Sequence, residues 1–408
     1  MKKFKNLYKT YEGLPKEIYI ISIARFINAA GMFIFPLLTL LLTKKIGLSG
    51  AEAGFWIAMS GVSTIPMSII GGHLTDIIGR KKIIIIPNII AAILFMSCSF
   101  IEPSMLMVYL IIAGGAVLNA SFPAMSSLIG DITTPENRNA SFSLSYLGNN
   151  LGFAVGPLVG GMLFNNHLKL FFFIDALTTL IAAIIIFAYV KETYFEAKEN
   201  TTSELEKTNT ESVFKVLLTR KTLLIFSLLS FGYHFSYSQW SFLMPIHLES
   251  LFTDKGAEYF GMLASLNGLV VIIFTPLITA LLSKLNDLTN ATIGGLLYMI
   301  GFGILGFFEM KFAFVLCVFI FTLGEITLVI STMPYITNHT PVNHRGKINS
   351  ILNIIMGAGH FIGPVIVGKL LFTISIPSVW KIVSFVVFLS SIGMYILQIY
   401  EKNTNTKV

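Results

Sequence analysis

Gly71-Gly72-His73-Leu74-Thr75-Asp76-Ile77-Ile78-Gly79-Arg80-Lys81-Lys82 is a charged turn set between two long apolar runs. That placement predicts a tight connection between two membrane-spanning helices. Asp76 falls at the end of one run, and Gly79 gives the backbone the freedom to reverse sharply. Arg80-Lys81-Lys82 then hold the turn in the interfacial layer. The rest of the 408 residues agree with this reading. The chain is 54% hydrophobic and 12% charged, with a mean hydropathy of +0.78, whereas soluble chains carry about 25% charged residues. A spanning helix needs about 20 apolar residues. The apolar runs place spans near 17–42, 52–77, 83–101, 105–130, 141–164 and 170–190, and again near 222–247, 258–283, 290–308, 312–337, 348–372 and 376–400. The expected fold class is an all-α membrane protein of twelve transmembrane helices.

The first span is longer than a signal-peptide core and no small-residue cleavage site follows it, so it is read as retained. With both termini placed in the cytoplasm, 20 of the 28 Lys and Arg residues lie on that side, in the segments 2–16, 80–82, 138, 191–221, 284, 345–347 and 402–407. This is the positive-inside bias. It accounts for the net charge of +7 through membrane flanks, and it excludes a nucleic-acid partner. Cys98 and Cys317 both fall inside spans, which leaves no disulfide framework, metal cluster or thiol chemistry. No nucleophile–base motif or phosphate loop supports an enzyme, and no cofactor is implied.

The sequence also repeats itself. Arg138, Gly152, Gly156-Pro157 and Gly161 recur 207 residues later as Arg345, Gly359, Gly363-Pro364 and Gly368, and Gly61 and Gly268 keep the same offset. Between the halves, residues 191–221 lose the hydrophobic rhythm and read as a solvated linker. The expected organisation is therefore a six-helix bundle at 1–190, a cytoplasmic linker at 191–221 and a second bundle at 222–408. In span 5, Gly152, Gly156 and Gly160 form one stripe that admits a neighbouring helix closely, beside Pro157 and Gly161.

The turn at 71–82 resembles the G-x-L-a-D-r-x-G-r-K signature between helices 2 and 3 of the major facilitator superfamily, with Ile77 where a basic residue is usual. Residues 152–161 resemble the G-x-x-x-G-P-x-x-G-G part of the helix 5 signature of bacterial multidrug:proton antiporters in that superfamily. Two departures stand out: Ser145 replaces a glycine of that signature, and Ile111 lies where helix 4 usually carries an arginine. The resemblance implies two six-helix repeats with substrate held between them near the midplane, and helices 1, 4, 7 and 10 lining the cavity. It also implies a cytoplasmic gate of Gly72, Asp76, Gly79, Arg80, Asp131 and Arg138, in which Arg80 faces Asp131 and Asp76 sits near Ile348 at the start of helix 11. Gly152, Gly156, Pro157, Gly160 and Gly161 would serve as the helix 5 hinge and packing surface.

Carried onto this chain, the cavity would be lined by Arg25, Asn28, Asn119, Met125, His234, Tyr237 and Glu325. Glu325 is a carboxylate near the middle of a span, and an intramembrane acid marks an ion or substrate path. Asp175 lies nearer a span end and reads as structural. An apolar, aromatic cavity with one acid suits lipophilic cations, because the acid holds either a proton or the cation. The expected function is export of lipophilic, cationic small molecules by proton antiport through alternating access, with Glu325, Asp131 and Asp76 as proton-coupling acids. The alternative is a proton-coupled carrier of one defined metabolite, such as a sugar, amino acid or lipid. The partners implied are a small-molecule substrate, protons and a lipid bilayer. The expected setting is a monomer in a bacterial plasma membrane.

Overall fold

Apolar runs interrupted by Gly, Pro and Asn fold into helices joined by short connections, since backbone groups within a bilayer must be satisfied inside their own segment. The computed structural model describes residues 11–134, 136–193, 221–282, 285–339 and 345–405. In order these form α1 (Lys16–Ala30, resuming at Leu38–Leu40 and Leu41–Lys45), α2 (Gly50–Ile78), α3 (Arg80–Cys98) and α4 (Met105–Asn119 and Ser121–Ile132), then α5 (Arg138–Phe164) and α6 (Leu168–Tyr189). After the segment 194–220, which lies outside the described residues, come α7 (Lys221–Ser241 and Leu243–Phe252), α8 (Gly256–Leu282) and α9 (Asp287–Ile304). The last three are α10 (Lys311–His339), α11 (Arg345–Leu370) and α12 (Ile376–Asn405). Among the described residues, nine helices are long and apolar enough to cross a membrane, and there is no strand. Large apolar side chains such as Ile69, Phe187 and Leu281 point outward, as a lipid-facing surface requires.

The predicted first span is not one continuous helix. It breaks at Gly31–Leu37, where Pro36 lacks a backbone N–H and disfavours helical geometry at the residue before it. The orphaned donors are met from α6: Asp175 Oδ2 accepts the Phe33 N–H at 2.9 Å and the Ile34 N–H at 3.0 Å. Asp175 is only 3% exposed, so these bonds are shielded from water. Replacing Asp175 by Ala is expected to lower stability by about 3 kcal/mol, because each buried donor left unmet costs about 1–3 kcal/mol. Asp175→Asn keeps one acceptor and should lose less, and melting of the purified protein in detergent reads both.

By packing, the described residues fall into two units. One lies within Met1–Gly47, Met59–Glu204 and Asp254–Gly268, the other within Leu48–Ala58, Leu205–Thr253 and Leu269–Val408. Glycine contacts at matching positions hold each together. In the first unit, a Cβ at Gly156 would come within 2.6 Å of Ala29 O and one at Gly160 within 3.0 Å of Phe33 Cβ, so the stripe on α5 takes α1 at backbone distance. Gly152 faces Phe26 O in the same way, and Gly148, not singled out by the sequence pattern, extends the stripe to Ser22 O. Gly161 turns elsewhere, to Ala257 at the start of α8. The second unit repeats two of these contacts. Gly359 on α11 meets Phe231 O of α7, and Gly368 meets Gly50 O at the start of α2. The 207-residue offset is thus a repeat of contacts as well as of letters.

Candidate functional site

Two clusters of polar side chains stand out, one in each unit. The first surrounds the turn between α2 and α3. Gly79 adopts φ +104°, a region that L side chains rarely occupy, and a Cβ there would lie 2.7 Å from Glu192 Oε2. Arg80 Nε donates to Asp131 Oδ2 at 2.8 Å, and its Nη1 donates to the Thr75 carbonyl at 3.1 Å. Thr193 Oγ1 donates to the same Asp131 oxygen at 2.8 Å. The Glu192 carboxylate accepts the backbone N–H groups of Arg80 and Lys81, each at 3.0 Å. Those groups open α3, where the helix dipole favours an anion.

Glu192, at the start of the expected linker, therefore caps α3. The sequence places it among polar residues and carries no local sign of this long-range contact. The rest of the expected linker, 194–220, lies outside the described residues. Asp76 is 3.4 Å from Arg80 but 73% exposed, whereas the Arg80–Asp131 pair is 12% and 20% exposed. The buried pair carries the energy, because exposed pairs contribute little. The tight approach on α2 falls on Gly71, which abuts the Ala120 backbone, while Gly72 has ordinary room beside Pro123. Arg138 donates to the carbonyls of Gly130 and Thr133 and so closes the end of α4. The partner expected for Asp76 near Ile348 falls on side chains outside those described. Arg80→Gln should lower stability by about 2 kcal/mol, the scale of a lost charged hydrogen bond, while Asp76→Asn should change it by under about 0.5 kcal/mol. Paired melting curves in detergent test this ranking.

The second cluster is a cavity of about 370 Å³ inside the second unit. Each wall is one helical face: Ser230, Tyr233, His234 and Tyr237 on α7, Glu325, Leu328, Val329 and Thr332 on α10, and Asn353, Met356 and His360 on α11. Those spacings of three, four and seven residues put side chains on one stripe. Tyr298 of α9 and Met333 of α10 complete the lining. The Tyr237 hydroxyl donates to Glu325 Oε1 at 2.9 Å. The Tyr237 ring is itself held, stacked on Tyr298 at 6.1 Å and edge-on to Phe321 at 6.5 Å, with His360 6.3 Å away. The result is one carboxylate, two imidazoles, one amide and the Ser230 and Thr332 hydroxyls in walls of aromatic, aliphatic and thioether groups.

Three of the expected cavity residues, His234, Tyr237 and Glu325, meet here. The other four belong to the first unit and have partners within it. Arg25 Nη1 donates to Ser145 Oγ at 3.0 Å, and Asn28 Nδ2 donates to Thr179 Oγ1 at 3.4 Å. Asn119 Nδ2 returns to the Gly115 carbonyl of its own helix, and Met125 packs on the apolar cluster around Ile18 and Leu128. Trp240 of α7 packs on Phe321 at 5.1 Å. Sequence reading missed Tyr298, Asn353, Met356 and His360. The last three were open to discovery by their seven-residue spacing on an otherwise apolar helix.

Known proteins agree with this architecture. Over 367 residues the chain is 26% identical to YttB, an uncharacterized MFS-type transporter of Bacillus subtilis (strain 168), covering 88% of this chain and 89% of that one. It is 21% identical to a Na(+), Li(+), K(+)/H(+) antiporter of Planococcus maritimus, covering 93% and 95%. Over 226 residues it is 30% identical to the quinolone resistance protein NorA of Staphylococcus aureus, covering 54% of this chain and 56% of that one. A crystal structure of the peptide transporter POT in complex with sulfate shares the fold at a TM-score of 0.74 and 18% identity, over 96% of each chain. The sequence profile of the Major Facilitator Superfamily matches residues 21–364 and 256–407. With nearly the whole chain covered, and its all-helical fold shared with a solved transporter, the protein belongs to the Major Facilitator Superfamily of membrane transporters.

Proposed function

We propose that this transporter exports lipophilic, cationic small molecules in exchange for protons, by alternating access of a site that includes the α7–α10–α11 cavity. The observation that carries the reading is the Glu325 carboxylate, bonded to Tyr237 at 2.9 Å within an aromatic and methionine-lined cavity. A carboxylate there attracts a cation, and a carboxylic acid does not. Proton and cargo therefore compete for one group, which is the physical requirement for exchange. Flat tyrosine faces add cation–π attraction for an organic cation. The similarity to a cation/proton antiporter supports exchange for protons, and the similarity to a quinolone resistance protein supports an organic cargo.

In this reading the chain sits in the bacterial plasma membrane as a monomer with both termini in the cytoplasm. The halves 1–190 and 222–408 rock about the site, joined by 191–221, and the Arg80–Asp131 cluster with Asp76 and Arg138 gates the cytoplasmic side. The glycine stripe of α5, with Pro157, lets helices slide at close range. The test is reconstitution into liposomes with an imposed pH gradient, following a fluorescent lipophilic cation. Gradient-driven movement of several unrelated cations supports the reading. Movement of none of them, with uptake of one sugar, amino acid or lipid in their place, overturns it.

A further inference from the structure

We infer that His339 and Glu401 form a proton-binding clasp that ties the end of α10 to the end of α12, closed when one proton is bound and loosened when it leaves. The argument starts from which imidazole nitrogen must donate. His339 Nδ1 lies 2.8 Å from the Tyr335 carbonyl, which only accepts, so Nδ1 carries a hydrogen. A neutral ring then has only a lone pair at Nε2, and that nitrogen faces Glu401 Oε2 at 3.6 Å. Two acceptors facing each other repel. A single added proton, taken from solvent as H⁺ onto Nε2, turns this repulsion into an ion pair with no other bond made or broken.

The neighbours reinforce that preference. The Tyr335 hydroxyl donates to the other Glu401 oxygen, which fixes the carboxylate against α10. Phe226 of α7 stacks on the Tyr335 ring at 4.2 Å, and the His339 ring lies 4.1 Å from the same Tyr335 ring. From α7, Thr222 also bonds the Tyr335 hydroxyl. From α9 comes Asp287, whose negative charge acts on His339 and whose carboxylate bonds Asn338. Lys402 follows Glu401 on α12. The Glu401 bond, with help from the Tyr335 carbonyl and the two carboxylate charges, raises the His339 pKa above its ordinary 6.5 despite partial burial.

A second histidine, bonded differently, makes the contrast. His247 Nδ1 accepts from Trp380 Nε1–H at 3.1 Å, so its Nε2 is free to donate to Glu309 at 3.1 Å while the ring stays neutral. That site needs no extra proton, and the His339 site does. The repeat points the same way. Shifted by 207 residues, Arg80 becomes Asp287, Asp131 becomes Asn338 and Ile132 becomes His339. The first unit fastens the end of α4 with a guanidinium that keeps its proton, and the second fastens the matching end of α10 with an imidazole, which takes up and releases one. Because α10 also carries Glu325, the clasp acts on the helix of the cavity carboxylate.

The test needs no transported cargo, so it stands apart from the exchange reading. The full chain, labelled with ¹³C-histidine in detergent micelles, is titrated from about pH 5 to about pH 9 and compared with His339→Gln and Glu401→Gln. The signal missing from His339→Gln is expected to titrate above 6.5 in the wild type and to fall toward or below 6.5 in Glu401→Gln. Melting gives an independent measure should His339→Gln fold poorly. A raised folded-state pKa stabilises fully below 6.5 and loses its contribution as pH climbs through the raised value. The wild-type melting midpoint should therefore drop across that window, and Glu401→Gln should flatten the drop. A His339 signal at or below 6.5, or one that Glu401→Gln leaves in place, overturns the clasp, as does an unchanged drop in the melting midpoint.

Discussion

In liposomes with an imposed pH gradient, Glu325→Gln is expected to reduce gradient-driven movement of a lipophilic cation to the level of empty vesicles. Glutamine keeps the size of the side chain and an oxygen to accept the Tyr237 hydroxyl at the 2.9 Å contact, so the cavity keeps its shape. What disappears is the charge and the proton that replaces it. At about 4 Å and an effective dielectric near 20, the attraction between a carboxylate and a cation is about 4 kcal/mol. Losing it lowers cation affinity about a thousandfold. A neutral lipophilic cargo makes no such pair, so its exchange in the absence of a gradient should survive in the variant. That contrast separates a lost proton–cation site from a collapsed cavity. Tyr237→Phe keeps the stacking on Tyr298 and Phe321 and removes only the hydroxyl, so it should shift the pH profile of transport while transport persists. Gradient-driven cation movement in Glu325→Gln at the wild-type rate would move proton coupling to Asp76, Asp131 or His234.

Sequence patterns revealed most of the fold because a membrane leaves little choice. Each span must satisfy its own backbone, so apolar length alone places the helices, and the repeat shows that they come in two sets. The interruption of α1 was less visible. Pro36 marks it, but the group that stabilises it, Asp175, lies about 140 residues away on α6, and nothing local announces that pairing. The turn at 71–82 disclosed Arg80 and Asp131 through resemblance but not Glu192, whose role depends on the chain returning from α6 to the start of α3. In the cavity, a carboxylate near the middle of a span disclosed Glu325, and the helices that the resemblance puts around the cavity disclosed Tyr237. Tyr298 gave no such sign, because one tyrosine in a helix rich in glycine and leucine resembles ordinary packing until α9 is seen against α7.

The glycine stripes carry the second large effect. Gly152→Val is expected to lower stability by about 3 kcal/mol or to abolish the folded, monodisperse protein, since overpacking a close helix contact costs about 1–3 kcal/mol and here the obstacle is backbone. At Gly152 the added carbon would press on Phe26 O, with Ala29 Cβ at 2.7 Å and Ala30 N at 2.8 Å. Two of those three atoms belong to the main chain and have no rotamer to change, so α1 and α5 must separate. The repeat demands the same of Gly359→Val, where Phe231 O and, at 2.9 Å, Phe235 N stand in the way. A nearby glycine on the same helix supplies the control. A Cβ at Gly357 would meet nothing within 4 Å, and its backbone is helical, so Gly357→Val should leave stability within about 1 kcal/mol. Size-exclusion profiles and melting midpoints of the three variants in one detergent decide the matter. Equal losses at 152 and 359 beside a near-neutral 357 would show that the repeated glycines are kept for backbone contact. A loss at 357 as large as the others would mean that these helices resist a β-branched residue anywhere, and the stripe would lose its special standing.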